Sequence, residues 1–305
     1  MKEGMCRFAI ASIVVGVVLL VMLKFILPSN IWDGMFGFSH TRYNDLIREA
    51  LEAISIDPRL TYPDTKSKVR RAFVLIEEKG FPTTPEEEFI MSMQYYREGE
   101  VERAIALLSD IIKNYPDFCD AYAYLAYITY SEERNDNSLI IGLFEKAIGC
   151  NPNKSLYYTW LGSFYKNNLM WRDGEGYNEE YKIKAEECYK KAISLNEEDI
   201  SAWNNYGNFL VDIKNYEEAE KVYKKAIEIF PEHGKPQYNL AALMAIKGDY
   251  ESAIKWLKEA LKYNPELRRE AKIDKDFDIL RGDPRFEELI SNRLREEILY
   301  IHSED

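Results

Sequence analysis

The sequence predicts an all-α chain, a solenoid of paired helices preceded by one transmembrane helix. Two observations carry that expectation. A helix–turn–helix pattern recurs about every 34 residues through the C-terminal two thirds, and an uninterrupted apolar run stands near the N-terminus. Composition agrees, because 11 prolines and 15 glycines in 305 residues are few, and 30% charged with 46% hydrophobic residues is ordinary for helical domains.

The N-terminal run extends from Phe8 to Leu23 and resumes after Lys24 with Phe25, Ile26 and Leu27. About 20 helical residues span about 30 Å, the thickness of a bilayer core. Residues 1–30 are therefore read as a membrane anchor, with residues 8–27 in the bilayer and Trp32 near the interface. Lys2 and Arg7 before the run also suit a cleaved signal peptide, but Pro28, Ser29, Asn30 and Ile31 form no small-residue cleavage site. The basic residues preceding the span favour a cytoplasmic N-terminus and repeats on the periplasmic or extracellular side. Cys6 beside the span is read as a plain thiol.

From 31 to 84 the repeat phase is lost while helical patterning persists. Tyr43, Leu46, Ile47, Ala50, Leu51 and Ile54 form one apolar stripe ended by Asp57-Pro58. Val69, Ala72, Phe73 and Ile76 form another, ended by Gly80 and Pro82. This pair is read as an N-terminal cap or degenerate repeat, which a solenoid needs to cover its first core face.

The repeat itself is clearest from Ile200 to His233. Trp203, Tyr206, Gly207 and Leu210 share one helical face, Ala219, Tyr223, Ala226 and Ile227 share another, Asn215 marks the turn and Pro231 the stop. One period on stand Tyr250, Ala253, Ala260 and Pro265; one period back stand Ala185, Tyr189 and Ala192. Small residues recur because two helices approach closely only where neither carries a bulky side chain. This pattern resembles the tetratricopeptide repeat. The resemblance implies a right-handed superhelical solenoid of five units: 85–118, 119–154, 155–199 with an insertion, 200–233 and 234–267. It covers about two thirds of the chain.

The segment Ala271 to Ile290 resembles the closing segment of bacterial tetratricopeptide arrays at Asp276-Phe277, Leu280-Arg281, Asp283-Pro284-Arg285-Phe286 and Leu289. Residues 268–305 are accordingly read as C-terminal capping helices, with Phe286, Leu289, Ile290 and Leu294 over the last repeat.

A formal net charge of -12 argues against nucleic acid, whose phosphates demand clustered Lys and Arg. The four cysteines, Cys6, Cys119, Cys150 and Cys188, have no metal-ligand spacing and are read as structural thiols. His40, His233 and His302 have no nucleophile or carboxylate partner fixed by sequence, no phosphate-binding loop is present, and Asp173 to Gly176 lacks the ligand pattern of a calcium loop. No enzyme, no metal and no cofactor is expected.

In the architecture that the resemblance implies, the first helix of each unit lines a concave groove that binds a protein or peptide partner. Its stagger nominates Phe89, Met93, Tyr96, Tyr127 and Tyr130, an apolar half, and Thr159, Ser163, Lys166, Asn204 and Asn208, a polar half. The amides are suited to pairing with a peptide backbone. Each aromatic has an equal claim to be core, since tyrosine is abundant at 22 residues. Phe89 and Met93 stand where a clamp for acidic chaperone tails would carry cationic and amide residues. The insertion, Asn167 to Lys184, carries Trp171 and Tyr177 either as a partner hot spot on an exposed loop or as a closed hairpin. Two other readings stand beside the scaffold: a structural subunit that self-associates through its caps, and the accessory arm of an envelope-processing enzyme.

Overall fold

Helix starts are written in the chain as Asx or Thr residues, several of them followed by an acidic first turn or a proline. In a computed structural model that describes residues 40–80, 82–132, 136–172 and 176–291, those signals open helices. Thr84 accepts from the Glu87 amide, Asp136 from Leu139, Asp199 from Ala202, Asn215 from Glu218 and Asp249 from Ser252. Each satisfies an amide that the first turn leaves without an intrahelical partner. Proline occupies the first turn at Pro63, Pro85, Pro236 and Pro284, where its missing donor is not needed.

The described helices are α1 (His40–Ile56), α2 (Pro63–Lys79), α3 (Pro85–Arg97), α4 (Val101–Asn114), α5 (Cys119–Ser131), α6 (Asn137–Cys150), α7 (Ser155–Phe164), α8 (Glu179–Leu195), α9 (Ile200–Asp212), α10 (Tyr216–Ile229), α11 (Lys235–Lys247), α12 (Tyr250–Tyr263), α13 (Leu267–Ile273) and α14 (Pro284–Ile290). A 3-10 turn, Lys275–Leu280, joins the last two. The anchor expected at residues 1–30, its span at 8–27, and Trp32 lie outside the described residues, as does Leu294. Among the described residues no helix is long and apolar enough to cross a membrane.

The chain divides into two units, Met1–Ile128 and Thr129–Asp305. In the first, Val69, Ala72, Phe73 and Ile76 of α2 are buried. The Phe73 ring meets Tyr95 edge-on at 5.6 Å, and Phe89 meets Tyr124 at 4.9 Å. Glu87 is a buried acid at 3% exposure that receives Tyr43 Oη at 2.8 Å, Lys79 Nζ at 2.9 Å and the Thr83 amide at 2.8 Å. Those three donors join α1, α2 and the loop before α3 to one carboxylate.

In the second unit, helix pairs meet where small residues stand. Ala185, Ala192, Ala219, Ala226, Ala253 and Ala260 have no exposed surface. Gly162 receives Tyr189 and Gly207 receives Tyr223. The turn from α11 to α12 passes through Gly248 at φ 81°, a left-handed conformation that glycine adopts without Cβ strain, whereas the corresponding turn from α9 to α10 puts Lys214 at φ 60°. At the C-terminal end Tyr238 meets Phe277 at 5.4 Å, Phe277 meets Phe286 at 5.6 Å, and Asp283 accepts from the Arg285 amide to open α14.

Of the two readings of the insertion, the structure has the closed hairpin and not the exposed loop. The chain after α7 widens into a π turn at Tyr165–Leu169, and β1 (Trp171–Arg172) pairs antiparallel with β2 (Gly176–Tyr177), Trp171 opposite Tyr177. Only the second helix is lengthened, α8 having 17 residues where α10 and α12 have 14. Two of the cysteines differ from the expectation of structural thiols, and Cys6 lies outside the described residues. Cys119 and Cys150 are disulfide-bonded, while Cys188 is free, its thiol pushed up to about 12 by burial and then by Glu187.

Candidate functional site

Side chains of α9, α11 and the π turn after α7 converge on a cavity of about 290 Å³ within the second unit. Lys166 from the π turn, Asn208 and Asp212 from α9, Tyr223 from α10, and Lys235, Tyr238, Asn239 and Ala242 from α11 line it. Glu270, Asp274 and Asp276 line its C-terminal end. Helical spacing explains the set: Asn208 and Asp212 are four residues apart on α9, as Tyr238 and Ala242 are on α11, so each pair shares a face.

Hydrogen bonds fix the polarity of the amides. Tyr223 Oη donates to Asn208 Oδ1 at 2.6 Å, so the Asn208 amino group is left as a donor beside the cavity. Asn239 Nδ2 donates to Asn204 Oδ1 at 3.2 Å, so Asn239 presents its Oδ1 as an acceptor. Asn239 is only 8% exposed, and no described group donates to that oxygen. One donor and one acceptor on neighbouring helices match the C=O and N–H of a peptide unit.

Charge in the cavity is mostly internally paired. Lys166 Nζ lies 2.6 Å from Asp212, Lys235 pairs with Glu270 and lies 4.8 Å over the Tyr238 ring, and Tyr238 Oη donates to Asp274 at 2.7 Å. Burial raises the Tyr223 and Tyr238 hydroxyls above the usual phenol range, so both stay protonated and able to donate. Asp276 is also raised, by partial burial first and then by Asp274, Asp212 and Asp278.

Of the residues nominated from sequence, Lys166 and Asn208 line this cavity and Asn204 supports it. Others are corrected. Phe89 at 2%, Met93 at 1% and Thr159 at 1% exposure are core, because each is turned into the helix stack and not out of it. Ser163 is tied internally, donating to Thr159 O at 2.9 Å and accepting from Tyr189 Oη at 3.3 Å. Tyr130 accepts from Asn167 at 2.7 Å and packs on Phe164 at 5.5 Å. In the first unit Tyr96 and Tyr127 are half-buried against one another at 6.5 Å, with Arg59 lying 5.8 Å from the Tyr127 ring. Tyr177 is no free hot spot, since its hydroxyl donates to the Asp212 carbonyl at 2.6 Å. The Trp171 side chain lies outside the described set.

Sequence reasoning missed Asp212, Tyr223, Asn239, Asp274 and Asp276 as site residues. Asn239 had a signal, because it occupies on α11 the place that Asn204 occupies on α9, each the fifth residue of its helix. The two aspartates of the cap, Asp274 and Asp276, had none, since they reach the cavity from outside the repeats.

Residues 198–266 and 89–117 each match a model of the tetratricopeptide repeat, and these segments are tetratricopeptide repeats. Solved structures of low identity share the architecture. A thermophilic tetratricopeptide-repeat protein of Thermus thermophilus is 18% identical with a TM-score of 0.52, over 61% of this chain and 96% of that one. PilW, a type IV pilus biogenesis factor, is 17% identical with a TM-score of 0.54, over 72% and 96%. PilF of Pseudomonas aeruginosa is 16% identical with a TM-score of 0.51, over 77% and 93%. At these identities the likeness is one of fold. A comparison with curated proteins finds no match.

Proposed function

We propose that the chain is a membrane-anchored scaffold that holds an extended segment of a partner protein in the cavity lined by α9, α11 and the π turn after α7, binding without catalysis. The observation that carries this reading is the pair of amides with opposite hydrogen-bonding polarity, the Asn208 donor and the Asn239 acceptor, on one concave surface. Tetratricopeptide repeats bind protein or peptide partners, which supports the class of ligand. The apolar run at residues 8–27 supports the anchor. Two disulfide-bonded cysteines support a location outside the cytoplasm, where thiols oxidise.

The test is crosslinking of the full chain in native membranes, compared with an Asn208→Ala plus Asn239→Ala variant shown to remain folded. A partner retained by the wild type and lost from the variant supports the reading. Identical recovery by both removes the cavity as the binding surface. Alkaline extraction tests the anchor, which predicts that the chain stays with the membrane pellet.

A second reading, self-association through the C-terminal cap, is favoured by Ile273 and Ile279, which are 80% and 60% exposed there. It predicts a concentration-dependent mass in sedimentation that Ile273→Ser plus Ile279→Ser abolishes.

A further inference from the structure

The cavity is not symmetric in charge. Four carboxylates line it, Asp212, Glu270, Asp274 and Asp276, against two ammonium groups, Lys166 and Lys235. Both ammonium groups are engaged, Lys166 by Asp212 and Lys235 by Glu270 and the Tyr238 ring. Asp274 is half engaged: its Oδ2 receives Tyr238 and its Oδ1 receives the Asp276 amide, contacts that hold its position without neutralising its charge. The Asp276 carboxylate receives no donor from any described group. The C-terminal end of the cavity therefore holds two carboxylates that pair with no cation among the described residues. They line the same cavity as Asn239, a side chain 8% exposed whose Oδ1 receives no donor from any described group.

A pair of uncompensated acids in a cleft has a definite complement. A long cationic side chain delivers its charge to the carboxylates from the end of a flexible stem. A guanidinium adds planar donors that can engage a carboxylate in two parallel bonds. We propose that this end of the cavity is a subsite for a lysine or arginine side chain of the bound segment, held by Asp276 and Asp274, with its peptide unit on Asn208 and Asn239. This rests on the peptide-binding reading above and adds the chemistry of one ligand residue. The acceptor-rich rim excludes an acidic residue at that position, since a carboxylate would meet two others with no cation between them.

The experiment uses the full chain and a set of acetylated, amidated heptapeptide mixtures in which one position at a time is fixed as Arg, Lys, Leu or Glu. Retention is measured for the wild type, Asp276→Asn, and Asn208→Ala plus Asn239→Ala. The Asp276 carboxylate bonds to no described group, so its amide leaves packing untouched, and melting curves verify this. At one position, Arg or Lys mixtures should be retained about tenfold more than Glu mixtures by the wild type, a ratio that Asp276→Asn reduces to within about threefold. A charge-reversing Asp276→Lys variant should invert the preference.

Retention that depends on the two asparagines but ignores the fixed residue overturns the cationic subsite and leaves the groove reading standing. A basic preference that survives both Asp276 substitutions also overturns it. Retention indifferent to the asparagine variant and to Asp276 sinks both readings together.

Discussion

The Tyr223 ring closes on Gly207 so tightly that a methyl group on the glycine would stand 2.2 Å from Cε1, and the same tyrosine donates to Asn208 at 2.6 Å. One side chain thus sets both the spacing of α9 against α10 and the polarity of a groove amide. In the preceding repeat the equivalent glycine, Gly162, leaves 3.0 Å to Tyr189, whose hydroxyl reaches Ser163 at 3.3 Å.

The two glycines should therefore respond differently to alanine. Alanine gains about 1 kcal/mol of helix propensity at either site, but overpacking a rigid buried ring costs about 1–3 kcal/mol. Gly207→Ala is expected to lower stability in urea unfolding and to weaken peptide retention, whereas Gly162→Ala stays within about 1 kcal/mol of wild type. Equal effects would show that Tyr223 has room to move.

Lys214 at φ 60° carries a left-handed strain that Gly248 avoids at the same turn of the next repeat. Lys214→Gly should stabilise the chain by up to about 1 kcal/mol, the Cβ strain relieved being partly offset by the extra freedom of glycine in the unfolded chain. A loss of stability in thermal or urea unfolding would show that the turn carries no such strain.

Glu87 gives the stability a defined acid dependence. Burial alone raises its carboxyl, but hydrogen bonds from Lys79, the Thr83 amide and Tyr43 outweigh burial and leave it below the usual range. A carboxyl depressed in the folded state contributes stability above its unfolded value, about 4.3, and loses it as pH falls through the lower folded value. Glu87→Gln should cost about 1–3 kcal/mol at pH 7. The gap between variant and wild type, read from urea titrations, should shrink below about pH 4. A constant gap would contradict the assignment.

Tyr177 ties the insertion to the end of α9 through the Asp212 carbonyl, and the Asp212 side chain in turn pairs with Lys166 at 2.6 Å. Tyr177→Phe should speed exchange of the Asn178 amide, which closes the hairpin by donating to the Met170 carbonyl at 2.6 Å, while leaving α12 unchanged. Unchanged exchange at the hairpin would mean that the tyrosine contributes nothing to its closure.

The repeat architecture was legible because its determinants are local. Ala219, Ala226, Gly207 and the Asx residues before α10 and α12 recur at fixed spacing, and spacing is visible in a sequence. The groove was legible only in small part. Lys166 and Asn208 project where the stagger puts them, but the stagger cannot tell an outward position from one that the next helix pair covers, so Phe89, Met93 and Thr159 were placed on the wrong surface. Asp274 and Asp276 were out of reach because the 3-10 turn that Asp274 caps and Asp276 lies in has no counterpart in the repeat, and its meeting with α11 through Tyr238 and Phe277 depends on tertiary packing.

Whether Asn208 and Asn239 hold a peptide backbone is read by fluorescence anisotropy on the best-retained heptapeptide. Binding is measured with the full chain, the Asn208→Ala plus Asn239→Ala variant, and Tyr223→Phe, all verified as folded. Two lost hydrogen bonds predict affinity roughly 10–30-fold weaker for the double variant, and one freed amide predicts a smaller loss for Tyr223→Phe. Affinity equal to wild type in the double variant would contradict the account and move recognition off this cavity.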